Sequence, residues 1–252
     1  MATAGVSEVR KGPSEQANTD FNMAERVVLM CASALFTGLS QEELVEIAAC
    51  SEARTFARDE LLFMQGQQVR NLVLIQTGSV KVTQLSASGN ESLLWMNGTG
   101  ETVGAHHTTP TCTHSCSARA MERCTSLSWK YAQLQDLMEE FPQIRSNISQ
   151  ILLSRLTELE ERFREVATER VAKRVALALL RLLKQVGKPT EQGIEVSLSR
   201  EELAQMTGCT LFTVSRLLSA WGEEGFVLPR REAVVVLDVK RLALAGEIDN
   251  VG

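Results

Sequence analysis

Cysteine and histidine crowd one short window of this sequence. All three histidines (His106, His107 and His114) and three of the six cysteines (Cys112, Cys116 and Cys124) fall between positions 106 and 124. A chance distribution would put fewer than one His or Cys there. Thiolate and imidazole ligate zinc, iron–sulfur clusters and haem iron. Thiols of low pKa respond to oxidants. Read as one strand, positions 112, 114 and 116 share a face, and Cys124 has the same parity. A plainer alternative is open: the cysteines fill a small barrel as apolar residues and the histidines decorate a loop. The spacing C-x3-C-x7-C matches no metal signature. Cys31 and Cys50 are expected to pack within N-terminal helices, and Cys209 within a turn.

A second group of residues suits nucleic acid. The stretch EVSLSREELAQMTGCTLFTVSRLLSAWGEEGF reads as two helices around a tight turn at Thr207–Thr210. Ser199 or Ser197 caps the first helix, and Gly208 permits a positive φ. Leu203 and Met206 face inward, and Val214, Leu217 and Leu218 give the second helix an apolar stripe. Thr210, Leu211, Thr213, Ser215 and Arg216 remain outward or sideways. A helix-turn-helix places the start of its second helix in the major groove. Arg216 is then the candidate for a guanine edge or a phosphate, and Arg200 for a phosphate. Arg230 and Arg231, at the tip of a following hairpin, are candidates for flanking phosphates.

Elements that could position these groups follow from pattern. At 252 residues, with 44% hydrophobic and 23% charged residues, the chain can form two ordinary domains. No apolar run is long enough to span a membrane, and the N-terminus lacks a secretory core. Six cysteines in a chain of this kind do not suggest a disulfide framework. The net charge of -5 does not itself suggest nucleic acid, but it is uneven: residues 1–168 balance to -6 and residues 169–252 to +1. Residues 1–22 read as a mobile tail. Residues 23–50 read as helical, with Ser40 and Glu43 forming a capping box. Between 53 and 131, short apolar runs alternate with turn signals, which suggests an antiparallel sandwich or barrel. Helical spacing returns at 132, and Pro142 suits a first turn. Leu152, Leu156, Leu159, Phe163 and Val166 then form a heptad seam of the kind that pairs two helices. Glu158, Glu160, Glu161, Arg162, Arg164 and Glu165 are expected on the exposed face. A further helix spans 169–187, and FVLPRREAVVVLDV reads as a hairpin.

The segment from Ser199 to Arg216 resembles the helix-turn-helix of the Crp/Fnr family of transcription regulators. The phrases LLFMQGQ, LIQTGSVKV and GTGETVG resemble strand-turn phrases of that family's sensor domain. The likeness covers roughly residues 30–245. It implies an α+β fold: an N-terminal antiparallel β-roll like a cyclic-nucleotide-binding domain (23–141, with flanking helices), a long dimerisation helix (142–168) and a C-terminal winged helix-turn-helix (169–252). It also implies double-stranded DNA with an inverted-repeat operator, a second copy of the chain and RNA polymerase as partners, a cytoplasmic location and no membrane contact. Two departures stand out within the motif. Many members carry Glu where this chain has Phe212, and a polar or basic residue where it has Leu211.

In members that bind cyclic nucleotides, the resemblance places a Glu on the ribose and an Arg on the cyclic phosphate. Here those positions hold Ala105 and Cys112, in a loop about three residues shorter. Two charged hydrogen bonds at about 1.5–3 kcal/mol each amount to roughly 10²–10⁴-fold in affinity. Cyclic AMP is therefore not expected as effector; metal, haem or no cofactor at all stay open. Two other classes compete: a stand-alone β-roll that regulates a protein, which leaves the helix-turn-helix unexplained, and an enzyme, for which no nucleophile, base and orienting group are recognisable.

Overall fold

The computed structural model of the chain describes residues 21–104 and 112–245. Two N-terminal helices, α1 (Met23–Cys31) and α2 (Gln41–Ala49), start at capping boxes made by Asn22 with Glu25 and by Ser40 with Glu43. Eight strands follow: β1 (Glu52–Phe56), β2 (Leu61–Phe63), β3 (Asn71–Thr77), β4 (Val80–Leu85), β5 (Glu91–Asn97), β6 (Thr102–Gly104), β7 (Ser117–Ala120) and β8 (Cys124–Lys130). They pair antiparallel in two four-stranded sheets, ordered β1-β8-β3-β6 and β2-β7-β4-β5. Val73, Ile75, Val80, Val82, Val103, Ala118 and Ala120 from both sheets share one core, so the sheets face each other as a β-roll.

Strand β3 is buried on both faces, as its continuous apolar run requires. Val73 and Ile75 point into the roll. Leu72 and Leu74 point outward, into a layer with Met30, Ile47 and Trp129. That layer also takes α3 (Tyr131–Glu140) and the start of α4 (Pro142–Thr168). The Trp129 indole donates to Ile47 O at 2.9 Å, so its buried N–H is satisfied.

After α4 come α5 (Val171–Val186), β9 (Lys188–Pro189), β10 (Ile194–Val196), α6 (Arg200–Thr207), α7 (Leu211–Glu223), β11 (Val227–Pro229), β12 (Val234–Val236) and α8 (Val239–Ala245). The four strands form a third sheet, β11-β12-β10-β9, beside the helices. The expected hairpin is β11–β12. The α+β architecture matches the expectation from the sequence.

The C-terminal helices rest on the outer face of the second sheet. A one-residue bulge in β5 sets that contact. Val82 faces Trp95 and Thr83 faces Leu93, so Leu94 is the extra residue. The bulge keeps Leu93 and Met96 on one face and turns Trp95 into the roll. Leu93 and Met96 join the same core as Val175, Leu179, Leu203 and Leu218. Lys81, opposite Met96, reaches Glu202 at 2.5 Å. The carbonyl of Leu94 accepts from Arg162.

Several expectations need correction. Glu165 and Arg162 do not belong to an exposed face. Glu165 is buried and holds Arg181 of α5 through two hydrogen bonds of 2.7 and 2.9 Å, which ties the long helix to the next. Cys31 and Cys50 are exposed rather than packed, because the inward positions of α1 and α2 are filled by Leu29, Met30, Leu44, Ile47 and Ala48. Most of the proposed N-terminal tail (residues 1–20) lies outside the described residues, as do Ala105, His106 and His107. Among the described residues, no helix is long and apolar enough to cross a membrane.

Candidate nucleic-acid interface

Ser199, not Ser197, caps α6. Its hydroxyl accepts from Glu202 N at 3.2 Å, and the Glu202 carboxylate accepts from Ser199 N at 2.8 Å. This is the reciprocal cap that a Ser-x-x-Glu spacing favours. The helix ends at Gly208, with φ 61° and ψ 41°, a conformation that glycine adopts without Cβ strain. Arg174 of α5 then clamps the turn, donating to Thr207 O at 3.0 Å and to Gly208 O at 3.2 Å. Cys209 is half-buried against the domain core, with its sulfur 3.1 Å from the Thr207 hydroxyl. Thr210 caps α7 by accepting from Thr213 N.

Helix α7 buries Val214, Leu217, Leu218 and Trp221. At 100° per residue, Phe212 and Arg216 lie on the opposite ridge, and both are exposed. Leu211 is exposed on the flank, and Thr213 and Ser215 are half-buried. The candidate residues Thr210, Leu211, Thr213, Ser215 and Arg216 thus surround the exposed start of one helix. Arg200 stands apart, at the start of α6, half-buried with its Nε shielded from water. Arg231 is exposed on the β11–β12 turn, whereas Arg230 is paired with Glu195 and donates to Gln192 at 3.3 Å.

Lys81 couples this motif to the β-roll. Burial pushes the Glu202 carboxyl up, but the Lys81 ammonium and the Ser199 donors outweigh it, holding the group below its ordinary value. Glu202 therefore stays ionised while it caps α6 and pairs across the domains.

The seam residues Leu152, Leu156, Leu159, Phe163 and Val166 are all exposed along α4. Leu152, Leu156 and Leu159 also border a cavity of about 240 Å³ that opens between α4 and the roll, with Phe63, Trp95, His114, Cys116 and Arg155 in its walls. The His114 ring stacks on Phe63, with centroids 3.8 Å apart. Arg155 donates to Thr102 O at 2.9 Å and lies 5.8 Å from the Trp95 ring centre. Burial lowers its pKa, the mark of a cation held in poor solvent.

The strand-face reading of Cys112, His114 and Cys116 is corrected. Strand β7 starts only at Ser117; residues 112–114 pair instead with 67–69, through Val69 N to Cys112 O and His114 N to Gln67 O. The chain bends at Ser115 and Cys116. Alternation therefore fails across the bend: Cys112 packs in the helical layer, while Cys116 and Cys124 join the roll core. Burial pushes the Cys116 and Cys124 thiols up, away from the thiolate that binds metal or meets oxidant. Among the described residues, no three His, Cys, Asp or Glu side chains are grouped to hold a metal.

Arg155, Arg174 and the Lys81–Glu202 pair escaped the sequence reading. Each is a charged residue whose partner is distant in the chain, so neither periodicity nor a local motif marks it. Only the Ser199–Glu202 half of that network carried a local signal.

Comparison with known proteins gives two family matches: a Crp-like helix-turn-helix domain over residues 173–245 and a cyclic nucleotide-binding domain over residues 53–141. The chain is 31% identical over 219 residues to the Cyclic AMP receptor protein of Thermus thermophilus, covering 87% of this chain and 98% of that protein. It is 23% identical to the transcriptional activator protein Anr of Pseudomonas aeruginosa, over 86% of this chain and 89% of that one. Among solved structures, the c-di-GMP responsive global regulator CLP of Xanthomonas campestris matches with a TM-score of 0.67 at 24% identity, over 79% of this chain and 100% of the other. FixK2 of Bradyrhizobium japonicum matches with the same TM-score at 20% identity, over 80% and 98%. At these identities the two structures speak for the fold.

Proposed function

Given that the chain belongs to the Crp/Fnr family and is a DNA-binding transcription regulator of that type, we propose that it acts as a homodimer paired along α4. The observation that carries this is the row of five exposed apolar side chains from Leu152 to Val166. A soluble helix gains by burying such a row against a second copy of itself. Two-fold pairing would present two α7 helices to two inverted half-sites, one helical turn of about 34–36 Å apart. Arg216 would read a base or phosphate, with Thr210, Leu211, Thr213 and Ser215 around it, and Arg200 would hold the backbone. RNA polymerase would be the further partner, in the cytoplasm.

We further propose that cyclic AMP is not the effector, although relatives of this chain bear its name. Support comes from the residue types: Cys112, a thiol packed in the helical layer, stands at the position for which the resemblance expects a phosphate-binding Arg, and can supply no guanidinium. Ala105 stands where it expects Glu. The metal, haem or thiol alternative, which rested on Cys112, His114, Cys116, Cys124, His106 and His107, draws no support from the described four. Their thiols divide between two cores. Sedimentation of the protein with and without a selected operator tests the dimer, and a monomer on its operator would refute it. Metal and absorption analysis of anaerobically purified protein tests the alternative.

A further inference from the structure

Two large apolar side chains stand exposed at the start of the helix that would read DNA. Phe212 is 76% exposed and Leu211 51% exposed, at the first two positions of α7. Neither belongs to any of the buried cores, since Val214, Leu217, Leu218 and Trp221 fill the inward face. Phe212 shares its ridge with Arg216, one turn on, and the hydroxyls of Thr210 and Thr213 lie beside it, 2.9 Å from each other. In a helix-turn-helix this is the part of the second helix that enters the major groove.

The groove offers such side chains one match. Guanine, adenine and cytosine present only donors and acceptors on the major-groove edge, and thymine adds a C5-methyl. A phenyl ring and an isobutyl group can neither give nor accept a hydrogen bond. Placed against guanine or cytosine they would strip water from polar edges with no replacement, which costs affinity. Against thymine they bury methyl carbon. We infer that Phe212 and Leu211 are specificity-determining residues that read thymine C5-methyl groups. Each half-site then carries thymine where α7 begins, next to the base or phosphate held by Arg216. The inference rests on the DNA-reading role proposed above and adds the base class to it.

The contact has a size. One methyl removed from water is worth about 0.8 kcal/mol, or about fourfold in affinity. Deleting the same methyl in both half-sites of a dimer's operator should cost roughly 15-fold by the same rule.

The test uses the full chain at one fixed salt concentration. Duplexes are selected from a random pool by the protein itself, and affinity is measured for the selected sequence. Thymines under the start of α7 are then replaced by deoxyuridine, which removes only the methyl. Wild type should lose about fourfold per site, Phe212→Ala should lose less, and the Leu211→Ala, Phe212→Ala double variant should bind the thymine and uracil duplexes alike. Replacing the same thymines by cytosine should weaken binding, and 5-methylcytosine should restore part of it. Phe212 is exposed, so the alanine variant should keep its helical spectrum and its melting temperature. Equal binding of thymine and uracil duplexes by wild type, or a selected half-site without thymine there, overturns the inference and leaves the DNA-reading role standing. In that case the exposed ring would serve a protein partner. If no sequence is enriched over random DNA, the inference and the role beneath it fall together.

Discussion

Replacing Leu156 and Phe163 by glutamate should turn the protein into a monomer. Leu152, Leu156, Leu159, Phe163 and Val166 are 44, 52, 37, 77 and 50% exposed. Full burial of such a side chain is worth about 1.5–3 kcal/mol, so covering the remaining half of each is worth about 1 kcal/mol. Ten side chains across a two-fold seam then supply roughly 10 kcal/mol. A dimer intact at micromolar concentration needs about 8 kcal/mol net, after an association cost of about 4 kcal/mol or more. The seam alone therefore falls short by roughly 2 kcal/mol, which the rest of the interface must supply. The double variant removes four of the ten contacts and puts four carboxylates into the seam, each with a desolvation cost of several kcal/mol. The dissociation constant should rise by more than about a thousandfold. Sedimentation velocity at micromolar protein reads this directly, with circular dichroism to show that α4 keeps its helix. A dimeric double variant, or a monomeric wild type, would refute the seam as the interface.

Other outcomes follow from single residues. Arg216→Ala should lower affinity for a selected operator by about 1–3 kcal/mol if the guanidinium reads a base, whereas Arg200→Ala should weaken all sequences alike and flatten the salt dependence; a salt series on both variants separates the two. Calorimetry should find no high-affinity cyclic AMP binding, and a tight, saturable isotherm would contradict the roles given to Ala105 and Cys112. Glu202→Gln should destabilise the protein by about 1–2 kcal/mol near neutral pH, through loss of the cap and the Lys81 pair. The carboxyl is held below its ordinary value, so its contribution is full above that value. It fades as pH falls through the depressed one. Melting curves from pH 7 to pH 3 should show the wild-type advantage shrinking only in the acid range, and a constant gap would exclude ionisation as its source.

What was legible in the sequence was local. The caps at Ser40 and Ser199, the glycine turn at Gly208 and the long helix from Pro142 are each set by residues within one or two turns of each other. The heptad seam is also local, and its five side chains do lie exposed in a row. What was missed depends on distant partners. Glu165 looks like one more surface charge until Arg181 is brought beside it. The thiols at 112 and 116 looked like one face because alternation was carried through a bend at Ser115–Cys116 that no glycine or proline announces. Phe212, which departs from the family's Glu, lies exposed because the inward face of α7 is already filled.

The most direct test of the central claim is selection of DNA fragments by the purified full chain, followed by mobility shift at fixed salt. The account predicts enrichment of an inverted repeat whose half-sites lie about 10–10.5 base pairs apart. It should bind at least about a thousandfold more tightly than random duplex, and Arg216→Ala should reduce that preference. Binding that is equal for all fragments and disappears with salt would contradict a sequence-specific regulator and leave only nonspecific attraction to phosphate.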